Sequence, residues 1–320
     1  MTRVSAGARL HVGFLNLSLA HERLYGGVGM ALAEPRVSVT AERAERVDCA
    51  DDTVADYATR ACDLLDVPGA AVRVEEPLPR HVGLGSGTQI ALATLAAVAG
   101  AYDREPQVRD RAPALGRGGR SGVGVAAFES GGFVVDAGHP TGRFTTDRPA
   151  DGEWTVPPVV TRHAVPGDWR ALLVVPDAAE GRSGETEDAS MRAAVERADP
   201  AIGDELAGLL TRRLLPAATT GDLGAFGRAV AEFDRLNGAW YADAQGGVYR
   251  PPAGALIDAL DGSPALAGVG QSSWGPVVYA LTDADRADAA REAGEAALDT
   301  TGIGGDVRVV SFANAGATTE

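Results

Sequence analysis

The chain has 320 residues, 45% of them hydrophobic, which is enough to bury a sizeable core in about two domains. Acidic residues outnumber basic ones 44 to 29, giving a net charge of −15, and every basic residue is an arginine because the sequence contains no lysine. This balance disfavours nucleic-acid partners, Cys49 and Cys62 have neither zinc-site nor disulfide-framework spacing, and the longest apolar run, Ile90 to Ala99, is half a membrane crossing.

Arg3 and Arg9 precede a mixed segment, Val12 to Ala20, that Asn16 and Ser18 interrupt, so a signal peptide is not indicated and a cytoplasmic location is expected. A dense carboxylate surface without lysine is the composition expected of a halophilic protein. Ala8 to Leu15, Gly29 to Ala33 and Val37 to Ala41 read as strands. Thr53 to Asp66 keeps Val54, Ala58, Ala61 and Leu65 at helical spacing, with Thr53 and Asp56 in the pattern of a capping box. Asp51-Asp52 with Thr59 has a superficial likeness to the acidic loop of ordinary phosphoribosyltransferases. It lacks the preceding buried strand and glycine turn, and reads as a helix N-terminus.

Val72 to Val74 reads as a strand leading through Pro77 and Pro79 into Gly83-Leu84-Gly85-Ser86-Gly87-Thr88-Gln89, which runs straight into the apolar stretch Ile90 to Gly100. A glycine-rich turn that opens a buried helix is an anion site. The first helical N–H groups have no partner in the helix, the macrodipole adds partial positive charge, and glycine lets a phosphate approach the backbone. Val123 to Phe128 and Phe133 to Asp136 then read as a hairpin turning at Gly131-Gly132.

Residues 140–168 are rich in Pro, Thr, Asp and Gly and are expected to link a domain of residues 1–145 to one of residues 165–315. Beyond them come a buried strand at Ala171 to Val175 and three or four helices between Glu185 and Leu260. Ala265 to Val269, Val277 to Leu281, a helix from Ala284 to Leu298, and Val307 to Phe312 resemble a ββαβ unit. Gly316 to Glu320 is expected to be a frayed tail. The fold class is α+β with more than one sheet.

Two further glycine clusters stand beside the first. Gly116-Arg117-Gly118-Gly119-Arg120-Ser121-Gly122 joins a flexible backbone to two guanidiniums, which bind phosphate or carboxylate bidentately. Gly268-Val269-Gly270-Gln271-Ser272-Ser273-Trp274-Gly275 adds hydroxyls and a large flat ring. Each alone is equally a tight turn, a pair of solvated charges or a core tryptophan; together they point to a phosphorylated ligand.

Pro79-Arg80-His81-Val82-Gly83-Leu84-Gly85-Ser86-Gly87 resembles the second motif of the GHMP small-molecule kinase superfamily, Pro-x-x-x-Gly-Leu-Gly-Ser-Ser. Arg9 to Phe14, Leu115 to Glu129, Phe133 to His139 and Gly270 to Pro276 are together similar to the β-ribofuranosylaminobenzene 5′-phosphate synthases, a branch that performs no phosphoryl transfer. The resemblance runs in order from about residue 5 to residue 312, and the block from 115 to 139 is its most specific part.

This resemblance implies a two-domain GHMP-kinase-like fold, ribosomal S5-like in its N-terminal half and ferredoxin-like in its C-terminal half, and a homodimer. It implies a decarboxylating transfer, as in methanopterin biosynthesis, from phosphoribosyl pyrophosphate to 4-aminobenzoate or a related 4-substituted benzoate, with Mg2+ assisting. On that reading Gly83 to Gln89 hold one phosphate group, and Arg117 with Gly118, Gly119 and Ser121 another. Trp274, with Ser272 and Ser273, carries the arene, and Arg9 or Arg120 orients its carboxylate. Asp136 is the candidate magnesium ligand or oxocarbenium partner, and His139 or His11 the proton handler. Glu185 and Glu187 either line the cleft or begin a solvated helix.

An ATP-dependent GHMP kinase is the alternative. Against it, Ser86-Gly87 replaces the usual Ser-Ser, and Ser273-Trp274 puts an indole where a kinase has small residues. Within the synthase pattern, Arg120 stands where a small hydroxyl residue is expected.

Overall fold

A 21-residue strand organises the N-terminal half, because its length lets it pair with different partners on its two ends. The computed structural model describes residues 1–142, 149–179 and 184–320. The elements in chain order are β1 (Thr2–Asn16), β2 (Arg23–Arg43), α1 (Asp52–Leu65), β3 (Ala70–Glu76), α2 (Ser86–Ala101), α3 (Val108–Arg111), α4 (Val123–Ser130), β4 (Phe133–Asp136), β5 (His139–Pro140), β6 (Val159–His163) and β7 (Trp169–Pro176). They continue with α5 (Gly184–Arg197), α6 (Pro200–Leu209), α7 (Leu215–Thr220), α8 (Leu223–Gln245), α9 (Ala253–Leu260), β8 (Gly268–Gln271), β9 (Val278–Asp283), α10 (Ala287–Thr301), β10 (Gly305–Ser311) and β11 (Thr318–Thr319).

The first sheet runs β11-β1-β2-β4-β6, with β3 and β5 also on β2, and its ladders are antiparallel. Val28 to Met30 of β2 pair with β4, while Ser38 to Arg43 pair with β3. The second sheet is antiparallel in the order β10-β7-β9-β8. Helix α2 packs on β1, β2, α1 and α4. Its apolar residues surround it on every side, which is the pattern of a buried rather than an amphipathic helix. The N-terminus of this buried shaft, at Ser86, borders two adjoining cavities.

Several expectations are corrected. Val123 to Ser130 is helix α4, not a hairpin strand. A short apolar run fits either period, and here tertiary contact decides: Gly124 lies against Thr88, and Gln89 Nε2 donates to the Gly124 carbonyl at 2.8 Å. Asp51, rather than Thr53, caps α1, accepting from Val54 N–H at 3.1 Å. That agrees with the reading of Asp51-Asp52 as a helix start.

The stretch 140–168 contributes β6 to the first sheet, paired with β4. The tail from Gly316 is tied down by β11, with Arg3 and Glu320 exchanging backbone hydrogen bonds of 2.9 and 2.8 Å. The closing ββαβ unit is present as β8, β9, α10 and β10. The expectation for Glu185 and Glu187 falls on side chains outside those described.

Asn237 of α8 stitches the halves together. Its Oδ1 accepts from Phe14 N–H at 2.6 Å and its Nδ2 donates to the Phe14 carbonyl at 2.9 Å, with the side chain 4% exposed. At Phe14 β1 has a strand on one side only, since β11 reaches no further than Val4 and Ser5, and Gly13 has no Cβ to collide with the amide, which an added one would meet at 2.3 Å. Asn237→Ala strands a donor and an acceptor, so we predict a loss of about 2–4 kcal/mol in denaturant unfolding at fixed salt. An unchanged midpoint would show that water replaces the amide.

Candidate active site

The glycine turn after β3 ends in Gly85, whose φ of +78° places it in the left-handed region, and α2 starts at Ser86. No side chain caps this end and no acidic residue lies in its first turn. Thr88 and Gln89 donate their N–H groups back to the Gly85 carbonyl at 3.1 and 3.2 Å, which leaves the earlier amides of the turn for a ligand. Arg9 and Arg117 flank this end. The Arg9 guanidinium carbon lies 3.1 Å from where a Gly85 Cβ would sit, and Arg117 Nη1 lies 3.1 Å from where a Gly87 Cβ would sit. Any side chain at either glycine would displace a guanidinium from the helix start.

Each arginine is itself held. Arg9 Nη1 donates to the Gly83 carbonyl at 2.5 Å. Arg117 donates through Nη2 to the Tyr57 hydroxyl and stacks with its guanidinium carbon 5.3 Å from the ring centroid. Both rest on rigid elements, β1 and the helix α1 that carries Tyr57.

Ser272 fixes the third loop to the first. Its backbone is fully buried with its side chain, its Oγ accepts from His11 N–H at 3.1 Å and donates to the Gly83 carbonyl at 2.7 Å, and Ser273 N–H donates to the His11 carbonyl at 3.0 Å. Gly83, with φ of +101°, has no room for a Cβ, which would sit 2.2 Å from the Ser272 carbonyl oxygen. Trp274 is thereby brought over the cavity, 9% exposed, with the Tyr241 ring edge-on at 4.6 Å between centroids.

The three glycine loops therefore converge on one cavity of about 580 Å³. Arg9, His11, Gly83, Gly85, Ser86, Gly87, Thr88, Arg117, Gly118, Gly119, Arg120, Ser121, Ser273 and Trp274 line it. Phe14, Tyr57, Arg60 and Asp188 also line it and were not read from the sequence. Tyr57 and Arg60 sit one helical turn apart on α1, a spacing visible in the sequence but without a cue separating them from core and surface. A second compartment of about 720 Å³ adjoins the first and shares Tyr57, His81, Ser86, Gly87 and Arg117 with it. Four arginines and three aspartates line the main cavity, a formal balance of +1 in a chain of −15. Arg60 is paired with Asp56 at 3.0 Å and Asp151 at 3.4 Å, and Arg120 with Asp188 of α5.

Other expected site residues lie elsewhere. Leu84 is in the core, and Gln89 is fully buried, its amide joining α2 to α4 rather than facing a ligand. His139 is buried in β5 and does not line the cavity. His11 does, but burial and then the Arg9 charge push it down to about 3, so it is neutral.

Asp136 is 0% exposed, and its carboxylate is enclosed by donors. Oδ2 accepts from Gly122 N–H at 2.7 Å and Ser121 Oγ at 3.1 Å, and Oδ1 accepts from Gly138 N–H at 2.9 Å. Burial raises it to about 6 in spite of these donors. This donor set positions the 121–122 turn at the start of α4 and does not fit a magnesium ligand. Among the described residues no group of three His, Cys, Asp or Glu gathers to hold a metal ion, and no helix is long and apolar enough to cross a membrane.

Comparison with known proteins agrees with this architecture. Residues 49–132 match the GHMP kinases N terminal domain and residues 214–300 the GHMP kinases C terminal model. The chain is 32% identical to a beta-ribofuranosylphenol 5'-phosphate synthase of Methanothermobacter thermautotrophicus, covering 88% of each chain. It is 33% identical to the protein of the same name from Archaeoglobus fulgidus, covering 89% of each. A homoserine kinase structure from Cytophaga hutchinsonii superposes with a TM-score of 0.64 at 18% identity, covering 100% of this chain and 97% of that one, a likeness of fold.

The raised pKa of Asp136 has a definite sign. Between about pH 4 and pH 6 the folded protein keeps a proton that the unfolded chain has lost, so this residue's contribution to stability falls as pH rises through that window. Asp136→Asn removes the titration. Lowering the pH from 7 to 4 should therefore favour wild type over the variant by up to about 3 kcal/mol in unfolding measurements at fixed salt. A difference that is flat with pH would refute the buried-carboxylate account.

Proposed function

Because the chain belongs to the family of the β-ribofuranosylphenol 5′-phosphate synthases, within the GHMP kinase superfamily, we propose that it is a decarboxylating phosphoribosyltransferase acting on phosphoribosyl pyrophosphate and a 4-substituted benzoate. The relatives' name puts a phenol where the sequence resemblance suggested an aminobenzene, so 4-hydroxybenzoate stands beside 4-aminobenzoate as acceptor. The observation that carries the reading is the convergence of an uncapped helix start, two anchored arginines and an indole on a single cavity.

In the proposed reaction the bond from the anomeric carbon to the diphosphate oxygen breaks, and both electrons leave with the diphosphate. The Ser86 and Gly87 amides and the Arg9 and Arg117 guanidiniums take up the growing negative charge, preorganised before the reaction begins. The arene carbon that bears the carboxylate bonds to the oxocarbenium-like anomeric carbon. Its bond to the carboxylate then breaks, carbon dioxide departs and the electron pair restores aromaticity. No net proton is gained or lost when the benzoate enters ionised. Trp274 and Phe14 supply the flat dry wall that holds the ring over the sugar.

Magnesium is implied by the resemblance. Because Asp136 does not fit as its ligand, the ion would enter on the diphosphate oxygens, as Mg2+ commonly does. No step above depends on it.

The decisive assay follows carbon dioxide released from carboxyl-labelled 4-hydroxybenzoate or 4-aminobenzoate in molar potassium salt. Release that requires phosphoribosyl pyrophosphate supports the proposal. ATP consumption with a hydroxylated acceptor and no decarboxylation would instead establish the kinase alternative. Arg117→Gln, which removes a charge-assisted donor, should raise KM for phosphoribosyl pyrophosphate about ten- to a hundredfold.

A further inference from the structure

Behind Trp274 lies a third, much smaller space of about 40 Å³, enough for one small polar group with or without a water molecule. It shares His11, Phe14, Ser273 and Trp274 with the main cavity, so the imidazole and the indole stand between the two. Its far wall is unexpectedly polar for the middle of a protein. Asp234 lies there, 4% exposed, with Oδ2 accepting from Gln271 N–H at 3.1 Å, and burial raises its carboxyl well above the ordinary range. Tyr249 and Gln271 complete that wall. On the near side His11 is 5% exposed, and its Nε2 is buried without a hydrogen-bond partner. A buried orphan of this kind costs free energy unless something fills it.

Resting on the synthase reading, we propose that this chamber receives the para hydroxyl or amino group of the arene, with His11 Nε2 as its hydrogen-bond acceptor and thus the residue that selects para-substituted benzoates. The carbon attacked by the sugar must face the diphosphate at the cationic end of the cavity. The para substituent is at the opposite end of the ring, and for a ring laid against Trp274 the inference places that end toward the chamber, which shares Trp274 and His11 with the cavity. The chemistry also asks for an acceptor there. When the arene attacks, the positive charge it acquires is delocalised to the para oxygen or nitrogen, whose O–H or N–H becomes a stronger donor. A hydrogen bond to a neutral acceptor therefore tightens as the new carbon–carbon bond forms, and stabilises the transition state more than the bound substrate. The proton stays on the substituent, so the step needs no other co-reactant. Burial, and after it the Arg9 charge, favours the neutral ring, which keeps the acceptor lone pair available.

The test measures competitive binding of benzoate, 4-hydroxybenzoate and 4-methoxybenzoate to the full chain in the presence of pyrophosphate, which supplies the anion but no sugar to react. Wild type should bind 4-hydroxybenzoate at least about tenfold more tightly than either analogue, because one lacks the donor and the other also overfills the chamber. His11→Leu should bring the 4-hydroxybenzoate to benzoate ratio close to one, with His11→Gln intermediate, while affinity for pyrophosphate changes less than twofold. Wild type that ignores the substituent, or a folded His11→Leu protein that keeps the full ratio, overturns the inference, and the wild-type comparison needs no variant to fold. If no benzoate releases carbon dioxide, the synthase reading fails; if carbon dioxide appears but the ratio does not depend on position 11, only this inference does.

Discussion

One hydroxyl holds the site together. Ser272 accepts from the backbone of His11 and donates to the carbonyl of Gly83, and so ties β1, the glycine turn before α2 and the loop after β8 at a single buried point. These segments are separated by 72 and 189 residues in the chain, and the middle one is the only part of the three that carries the helix start. Loop-closure entropy opposes such a meeting, and a fully buried hydroxyl with both partners satisfied compensates for part of that cost while fixing the geometry. Glycine at position 83 is the corresponding steric condition, since the Ser272 carbonyl occupies the space of a side chain.

The electrostatics follow from the same constraint. A protein of net charge −15 repels a polyanionic ligand at long range, so attraction must be built locally. Here the buried shaft of α2 directs its open end into the cavity, and the arginines around it are anchored by a carbonyl, a phenol and carboxylates rather than left to wander. With guanidiniums already oriented, less side-chain freedom remains to be lost when a diphosphate arrives. Molar salt screens the repulsion of the surface more than it screens these partly buried groups.

Much of this was legible in the residues. An all-round apolar helix preceded by Gly83 to Gly87 can hardly be anything but a buried helix with its start at a cleft, and the order of the glycine clusters carried the family. The helix α4 was misread because Val123 to Phe128 suits a strand as well as a helix, and only the packing of Gly124 on Thr88 decides. Gln89 was included with the loop by adjacency, although helical geometry turns it a quarter of the way round, toward α4. Tyr57 was invisible as a site residue because its aromatic ring belongs equally to the apolar face of α1. Asp136 was read as a magnesium ligand or oxocarbenium partner; its surroundings of amide donors, which come from Gly122 and Gly138 through the turn geometry, could not be read from spacing.

The most direct measurement is a crystal structure of the chain soaked with phosphoribosyl pyrophosphate in high salt. Diphosphate oxygens within hydrogen-bonding distance of the Ser86 and Gly87 amides and of Arg9 and Arg117, with the anomeric carbon facing Trp274, is the result the account predicts. A diphosphate seated away from the start of α2 would contradict it.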